Sequence, residues 1–117
     1  VVSNSRKLGD KGEELAVNFY LSKDYSILTR NFVTKLGEID IICRKHDEII
    51  FVEVKVENRD FPALERLTRN KFEKIKKSAL VYLKMYTQYD KLNIRFDLII
   101  VDKFTFECNH YPGVYFD

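Results

Sequence analysis

The stretch Gly37-Glu38-Ile39-Asp40-Ile41-Ile42-Cys43-Arg44-Lys45-His46-Asp47-Glu48-Ile49-Ile50-Phe51-Val52-Glu53-Val54-Lys55 decides the fold. Its apolar, β-branched residues form two strand-like runs, Glu38 to Arg44 and Glu48 to Val56, and the polar Lys45-His46-Asp47 between them predicts a hairpin. Side chains on a strand repeat their direction every second residue, so Glu38, Asp40 and Ile42 share one face, as do Phe51, Glu53 and Lys55. A loop of two residues (Lys45 paired with Glu48) or four (Arg44 with Ile49) sets Asp40 opposite Glu53 and Glu38 opposite Lys55. An odd loop would set Asp40 against Val52 or Val54 and mix a carboxylate into the apolar row, so the even register is expected. Carboxylates opposed in this way, with Cβ atoms about 4.5–5.5 Å apart, destabilise a bare strand pair. They suit a hard divalent cation, since Mg²⁺ takes one or two carboxylates plus water and substrate phosphate. Lys55 could then hold a phosphate or the attacking water. The alternative is a solvated strand face with a Glu38–Lys55 cross-strand pair and no ligand.

Upstream, Asp10-Lys11-Gly12-Glu13 reads as an N-cap followed three residues later by Glu, and Leu15, Ala16, Phe19 and Tyr20 recur at helical spacing. A helix is predicted from about Lys11 to Lys23. A strand over Tyr25 to Phe32 joins the hairpin in a three-stranded meander. Downstream of the irregular Glu57 to Pro62, a helix from Ala63 to about Tyr86 places Leu67, Phe72, Ile75, Ala79, Tyr82 and Leu83 on one face. Strands over Ile94 to Val101 and Phe104 to Cys108 close the chain. The order α-β-β-β-α-β-β predicts an α/β fold with a mixed sheet. With 117 residues, no internal repeat and no linker-like tract, residues 1–117 are read as a single domain.

Hydrophobic residues at 45% and charged residues at 32% exclude collagenous and extensively disordered classes. No apolar run approaches the roughly 20 residues of a membrane span. Val1 to Lys7 lacks a hydrophobic signal core, and two cysteines make no disulfide framework, so the expectation is a cytoplasmic protein with reduced thiols and no membrane partner. A net charge of +2 does not by itself announce a nucleic-acid binder, but the charge is unevenly spread. The second helix carries Arg66, Arg69, Lys71, Lys74, Lys76, Lys77 and Lys84 against Glu65 and Glu73, an excess of five positive charges. Such a run is either a solvated face or a phosphate-binding surface. Lys71 stands apart, because it precedes Ile75 by four residues and Ala79 by eight and so ends the buried stripe, within reach of the sheet near Glu53.

Gly37-Glu38-Ile39-Asp40-Ile41-Ile42 followed by Phe51-Val52-Glu53-Val54-Lys55 resembles the YraN family of uncharacterised bacterial proteins, which belongs by resemblance to the PD-(D/E)XK nuclease superfamily. Gly9-Asp10-Lys11-Gly12-Glu13-Glu14-Leu15-Ala16, Arg30-Asn31, Lys71 with Ala79 and Leu83, and Arg95-Phe96-Asp97 extend the likeness, in order, over almost the whole chain. The resemblance implies a restriction-endonuclease-like three-layer α-β-α fold. It implies a Mg²⁺- or Mn²⁺-dependent nuclease acting on nucleic acid, DNA ahead of RNA and branched DNA included, in which relatives often work as homodimers. It makes Asp40 and Glu53 metal ligands, Lys55 the catalytic lysine, and Lys71 a residue aimed at the scissile phosphate; the basic run of the second helix adds Arg66, Arg69 and Lys74 as candidate nucleic-acid contacts. Where the family carries a basic residue two places after the lysine, this chain has Glu57. That acid favours a second reading, a nucleic-acid-binding module of the same fold with weak or lost catalysis; a third is an interaction protein with neither property.

Glu13 is open to two readings. On a helical wheel it points inward with Ala16 and Tyr20, as a further catalytic and metal-binding carboxylate would, or it completes a capping box with Asp10. Glu14 points away. Cys43, His46, Cys108 and His110 have zinc-ligand chemistry, but Cys43 lies on the core face with Ile39 and Ile41, so no zinc site is expected. Tyr20, Tyr82 and Tyr86 are read as core or rim aromatics.

Overall fold

A sheet with two apolar faces needs a helix on each, and the chain supplies one from either side of its meander. The computed structural model describes residues 4–57 and 67–115, leaving out the side chains of residues 4–7. The elements are α1 (Asn4–Ser22), β1 (Ser26–Val33), β2 (Glu38–Lys45), β3 (Glu48–Glu57), α2 (Arg69–Met85), a 3-10 turn at Thr87–Tyr89, β4 (Asn93–Asp102) and β5 (Cys108–Tyr111). The five strands lie in the order β1-β2-β3-β4-β5. Neighbours are antiparallel except β3 and β4, which run parallel across the α2 crossover. This is the expected α/β arrangement, a mixed sheet between two helices.

On one face Phe72, Ile75, Ala79 and Tyr82 of α2 pack on Ile42, Phe51, Leu98 and Ile100. On the other, Ala16, Val17 and Tyr20 of α1 pack on Ile41, Cys43, Ile50, Val52, Ile99 and Val101. Each fully buried aliphatic side chain contributes about 1.5–3 kcal/mol, so these two layers hold the sheet in place. α1 lies close: a Cβ on Gly12 would come 2.3 Å from Val56 Cγ2, so the absence of a side chain there sets the helix-to-sheet distance. Among the described residues no helix is long and apolar enough to cross a membrane.

Three boundaries differ from the sequence reading. α1 begins at Asn4, so Asp10 lies inside the helix and the capping box does not form. Among the described residues the helix runs on through Asp10, so the cap-like pattern is one turn of α1, with Asp10 and Lys11 exposed, Glu13 half-buried and Gly12 buried. The second helix does not run unbroken from Ala63, because Thr68 is extended (φ −74°, ψ 158°) and its hydroxyl accepts the Lys71 N–H, which starts α2 at Arg69. Arg66, and the chain from Ala63 to it, lie outside the described residues. The last strand is Cys108–Tyr111, not Phe104 to Cys108. Asp102 Oδ1 accepts the N–H groups of Phe104 and Thr105 at 2.8 and 2.9 Å, and the Asp102 carbonyl takes the Phe106 N–H, so this segment is a turn.

Candidate active site

The β2–β3 hairpin closes with a two-residue loop, His46-Asp47, and Lys45 pairs with Glu48. Pairing continues in the expected even register through Arg44–Ile49, Cys43–Ile50 and Ile42–Phe51 to Ile41–Val52, where the ladder ends. It stops one pair short of Asp40–Glu53. Asp40 Oδ2 instead accepts the Val54 N–H at 2.7 Å, a bond that a continuing strand partner would have supplied. Ile39 and Ile42 join the same core layer although they are an odd three positions apart, so the two-residue alternation breaks at Asp40. The sequence reading placed Glu38, Asp40 and Ile42 on one face; the break turns the Asp40 carboxylate into the gap between the strands.

Glu53 follows Phe51 onto the α2 side, and Lys55 Nζ lies 3.2 Å from Glu53 Oε1, with the two side chains 27% and 15% exposed respectively. Gly37, Glu38, Glu53, Lys55, Lys71, Lys74 and Ile75 line a cleft of about 140 Å³. Lys71 is placed there by the Thr68 cap, which takes its backbone N–H. Gly37 lets the β1–β2 turn approach α2, because a Cβ there would lie 3.2 Å from Lys74 Cβ. Thr34 fastens that turn: its hydroxyl receives the Gly37 N–H at 3.1 Å and meets Ser78 Oγ at 2.9 Å.

Residues 12–101 of this chain match the family model described as the uncharacterised protein family UPF0102. The chain belongs to that family. A UPF0102 protein of Syntrophomonas wolfei is 41% identical over 110 residues, covering 91% of this chain and 95% of its own length. One from Clostridioides difficile is 41% identical over 110 residues, covering 92% and 95%. A third, from Campylobacter fetus, is 41% identical over 95 residues, covering 81% and 83%. The matched span of this UPF0102 chain contains Glu13, Asp40, Glu53, Lys55 and Lys71.

Negative charge is crowded in the UPF0102 site. Burial, then the charge of Glu53, and more weakly Glu13 and Glu38, push the Asp40 carboxyl well above the usual carboxylate range, against the pull of its bond from Val54. Burial also raises Glu53, although Lys55 and Lys71 oppose it. Glu13, half-buried on α1, is raised by burial and by Glu38. Asn31, with its amide nitrogen turned toward the carboxylates, donates to Glu13 Oε1 at 2.7 Å and to Glu38 Oε1 at 3.3 Å, tying α1 to β2. Burial works to lower Lys55, yet the charge and hydrogen bond of Glu53 outweigh it and hold the ammonium form. Lys71 is lowered by the neighbouring charge of Lys55.

Asp40, Glu53, Lys55 and Lys71 therefore converge, Glu13 faces them electrostatically from α1, and Lys74 lines the same cleft. Arg69 is exposed at the start of α2 and does not line it. Among the described residues no three His, Cys, Asp or Glu side chains are close enough to form a complete protein cage for a metal. The donor set present, two sequestered carboxylates with excess negative charge, fits a Mg²⁺-like ion that keeps most of its water. Cys43, His46, Cys108 and His110 form no such group either, and His110 Nε2 meets Asp97 Oδ2 at 2.7 Å.

Composition and spacing did not reveal two parts of this arrangement. Asn31 has a left-handed backbone (φ 53°) inside β1, between the paired positions Arg30–Ile41 and Phe32–Ile39. An Asn within a strand-like run, and its place in the Arg30-Asn31 pair of the resemblance, were its only signals. On the α1 face, Asp97 is buried and receives Tyr20 Oη, His110 Nε2 and two nitrogens of Arg95, a network whose members lie as much as 90 positions apart in sequence.

Proposed function

We propose that this UPF0102 protein is a metal-dependent phosphodiesterase acting on nucleic acid, with DNA the first substrate to test. The observation that carries the reading is the meeting of the half-buried carboxylates Asp40 and Glu53, both raised, with Lys55 in ion-pair contact and Lys71 and Lys74 on the cleft wall. Asp40 and Glu53 would hold Mg²⁺ or Mn²⁺, and Glu13 would face its water shell. The ion, when bound, supplies charge neutralisation at the phosphate. Lys55, kept protonated by Glu53, orients the attacking water and contacts the phosphate oxygens. Water adds its oxygen to phosphorus and gives up a proton to solvent, a P–O bond breaks, and the leaving oxygen takes a proton from solvent. Lys71 and Lys74 hold the phosphate in line, and their placement is the main service of α2.

A second reading is a nucleic-acid-binding module of the same fold. It is favoured by the lack of a closed three-ligand cluster among the described residues and by Glu57, an acid at the end of β3. Mn²⁺ binding measured by electron paramagnetic resonance separates the two. The nuclease reading expects one site that is lost in Asp40→Asn and in Glu53→Gln and retained in the exposed Glu14→Gln. Nucleic-acid binding with no such Mn²⁺ site gives first place to the module.

A further inference from the structure

A second cleft, of about 360 Å³, opens on the α1 side of the same strand end and is lined by Leu8, Gly9, Glu13, Val54, Lys55, Val56, Glu57 and Lys103. Its size falls within the roughly 300–1,000 Å³ of small-ligand sites. Leu8, Val54 and Val56 give it an apolar floor, while Glu13, Glu57 and Lys103 give it a polar rim. Lys55 lines both clefts, so a nucleoside attached to a phosphate at Lys55 has the α1-side cleft within reach.

Gly9 is the telling residue. Glycine is a poor choice within a helix, and here no backbone demand explains it, since Gly113 is the one described glycine with a positive φ. No packing demand explains it either: a Cβ on Gly9 would meet nothing within 4 Å, whereas one on Gly12, a turn later, would strike Val56. Gly9 lines the cleft, and a side chain there would stand in open space.

We infer that this cleft is a subsite for an unpaired nucleoside, taking the base and sugar attached to the phosphate that Lys55 contacts. The floor receives the face of the base, and the carboxylates and Lys103 meet its polar edge and the sugar hydroxyl. A base still stacked and paired in a duplex cannot enter, so the favoured substrates are single strands, flaps and junctions with unpaired positions, where unstacking costs least. The inference rests on the nuclease reading for the position of the phosphate, and the experiment keeps the two apart.

Backbone amide shifts are followed by nuclear magnetic resonance while thymidine 5′-monophosphate, adenosine 5′-monophosphate or inorganic phosphate is added at millimolar concentration. Nucleotides are expected to move Gly9, Val54 and Val56, and inorganic phosphate to move Lys55 and Lys71 without them. Gly9→Leu, which fills the cleft with a better helix former, is expected to keep the phosphate response and weaken nucleotide binding by about tenfold or more. Gly9→Ala, with only a methyl group, should lie between. The subsite is overturned if nucleotides and phosphate move the same amides, if nucleotides move none, or if Gly9→Leu binds nucleotides as wild type does. Shifts at the cleft together with an absence of metal-dependent cleavage would uphold the subsite while removing the nuclease reading.

Discussion

Replacing Asp97 by Ala should be the most damaging single truncation on the α1 face. The carboxylate is buried and accepts five hydrogen bonds: Tyr20 Oη at 2.8 Å, His110 Nε2 at 2.7 Å, Arg95 Nε and Nη2 at 2.9 Å each, and the Gly113 N–H at 3.1 Å. Burial alone would raise it, but the donors from His110, Arg95, Tyr20 and Gly113 win and lower it from 3.8 to about 2. That difference of nearly two units corresponds to roughly 2.5 kcal/mol favouring the ionised over the protonated form. The sign follows from the depression: this stability is present above about pH 4 and is lost as pH falls through 2. Truncation costs more than protonation, because it leaves the partly buried Arg95 guanidinium without its main counter-charge, and breaking such a pair costs about 3–5 kcal/mol. A chain of this size has a total stability of order 5–15 kcal/mol, so Asp97→Ala should fold but unfold at lower urea. Its thermal midpoint should drop by at least about 12 °C. Tyr20→Phe, which removes one donor, should lose only about 1–2 kcal/mol. The double change Arg95→Met with Asp97→Leu should cost clearly less than the sum of its single changes. Equilibrium urea unfolding at pH 7 measures all of these. A loss below about 1 kcal/mol for Asp97→Ala, or strict additivity in the double change, would refute the reasoning.

Gly12→Ala should destabilise by about 1–3 kcal/mol despite its better helix propensity, because its Cβ collides with the stiff Val56, and Val56→Ala should recover part of the loss in thermal unfolding. Asp40 is raised on folding, so the folded protein holds its proton to higher pH than the unfolded chain; stability is therefore full at low pH and declines as pH rises through the elevated value. Asp40→Asn, which can still accept the Val54 N–H, should flatten that decline in urea titrations across pH 5–9, and an unchanged slope would count against the crowding of charge at the site. If Lys55, Lys71 and Lys74 contact roughly three phosphates, duplex or single-strand affinity should fall with salt at a log–log slope of about −2 to −3; a flat profile would make α2 a solvated face.

The layers of the fold were legible because periodicity reports burial directly. Phe72, Ile75, Ala79 and Tyr82 recur at helical spacing and do face the sheet, and Phe51 joins the α2 layer while Val52 and Val54 join the α1 layer, as strand alternation requires. The even hairpin register was legible for the same reason, since an odd one would have buried charge. Apart from the earlier start of α1, the departures came from single polar side chains that bond to backbone: Thr68 starting α2, Asp102 turning the chain before β5, and Asp40 taking the Val54 N–H and ending the ladder. Each is a local competition for one N–H group, and residue type alone does not say which partner wins. The Asp97 network was legible only as the Arg95-Phe96-Asp97 motif; its other side chains, Tyr20 and His110, lie 77 and 13 positions from Asp97 and share no spacing with it. The role of Gly9 likewise depends on an open space that only the placement of β3 defines.

The most direct test of the account is single-turnover cleavage of a labelled panel of linear, flapped, four-way and single-stranded DNA, in Mg²⁺, in Mn²⁺ and with chelator. Wild type should cut at least one substrate with unpaired nucleotides in a metal-dependent way. Glu53→Ala should abolish the reaction, Lys55→Ala should slow it by about a hundredfold or more while Mn²⁺ still binds, and the exposed Glu14→Ala should cut at the wild-type rate. Metal-dependent cutting that survives unchanged in Lys55→Ala and Glu53→Ala, or wild type that cuts nothing above chelator background, would contradict it.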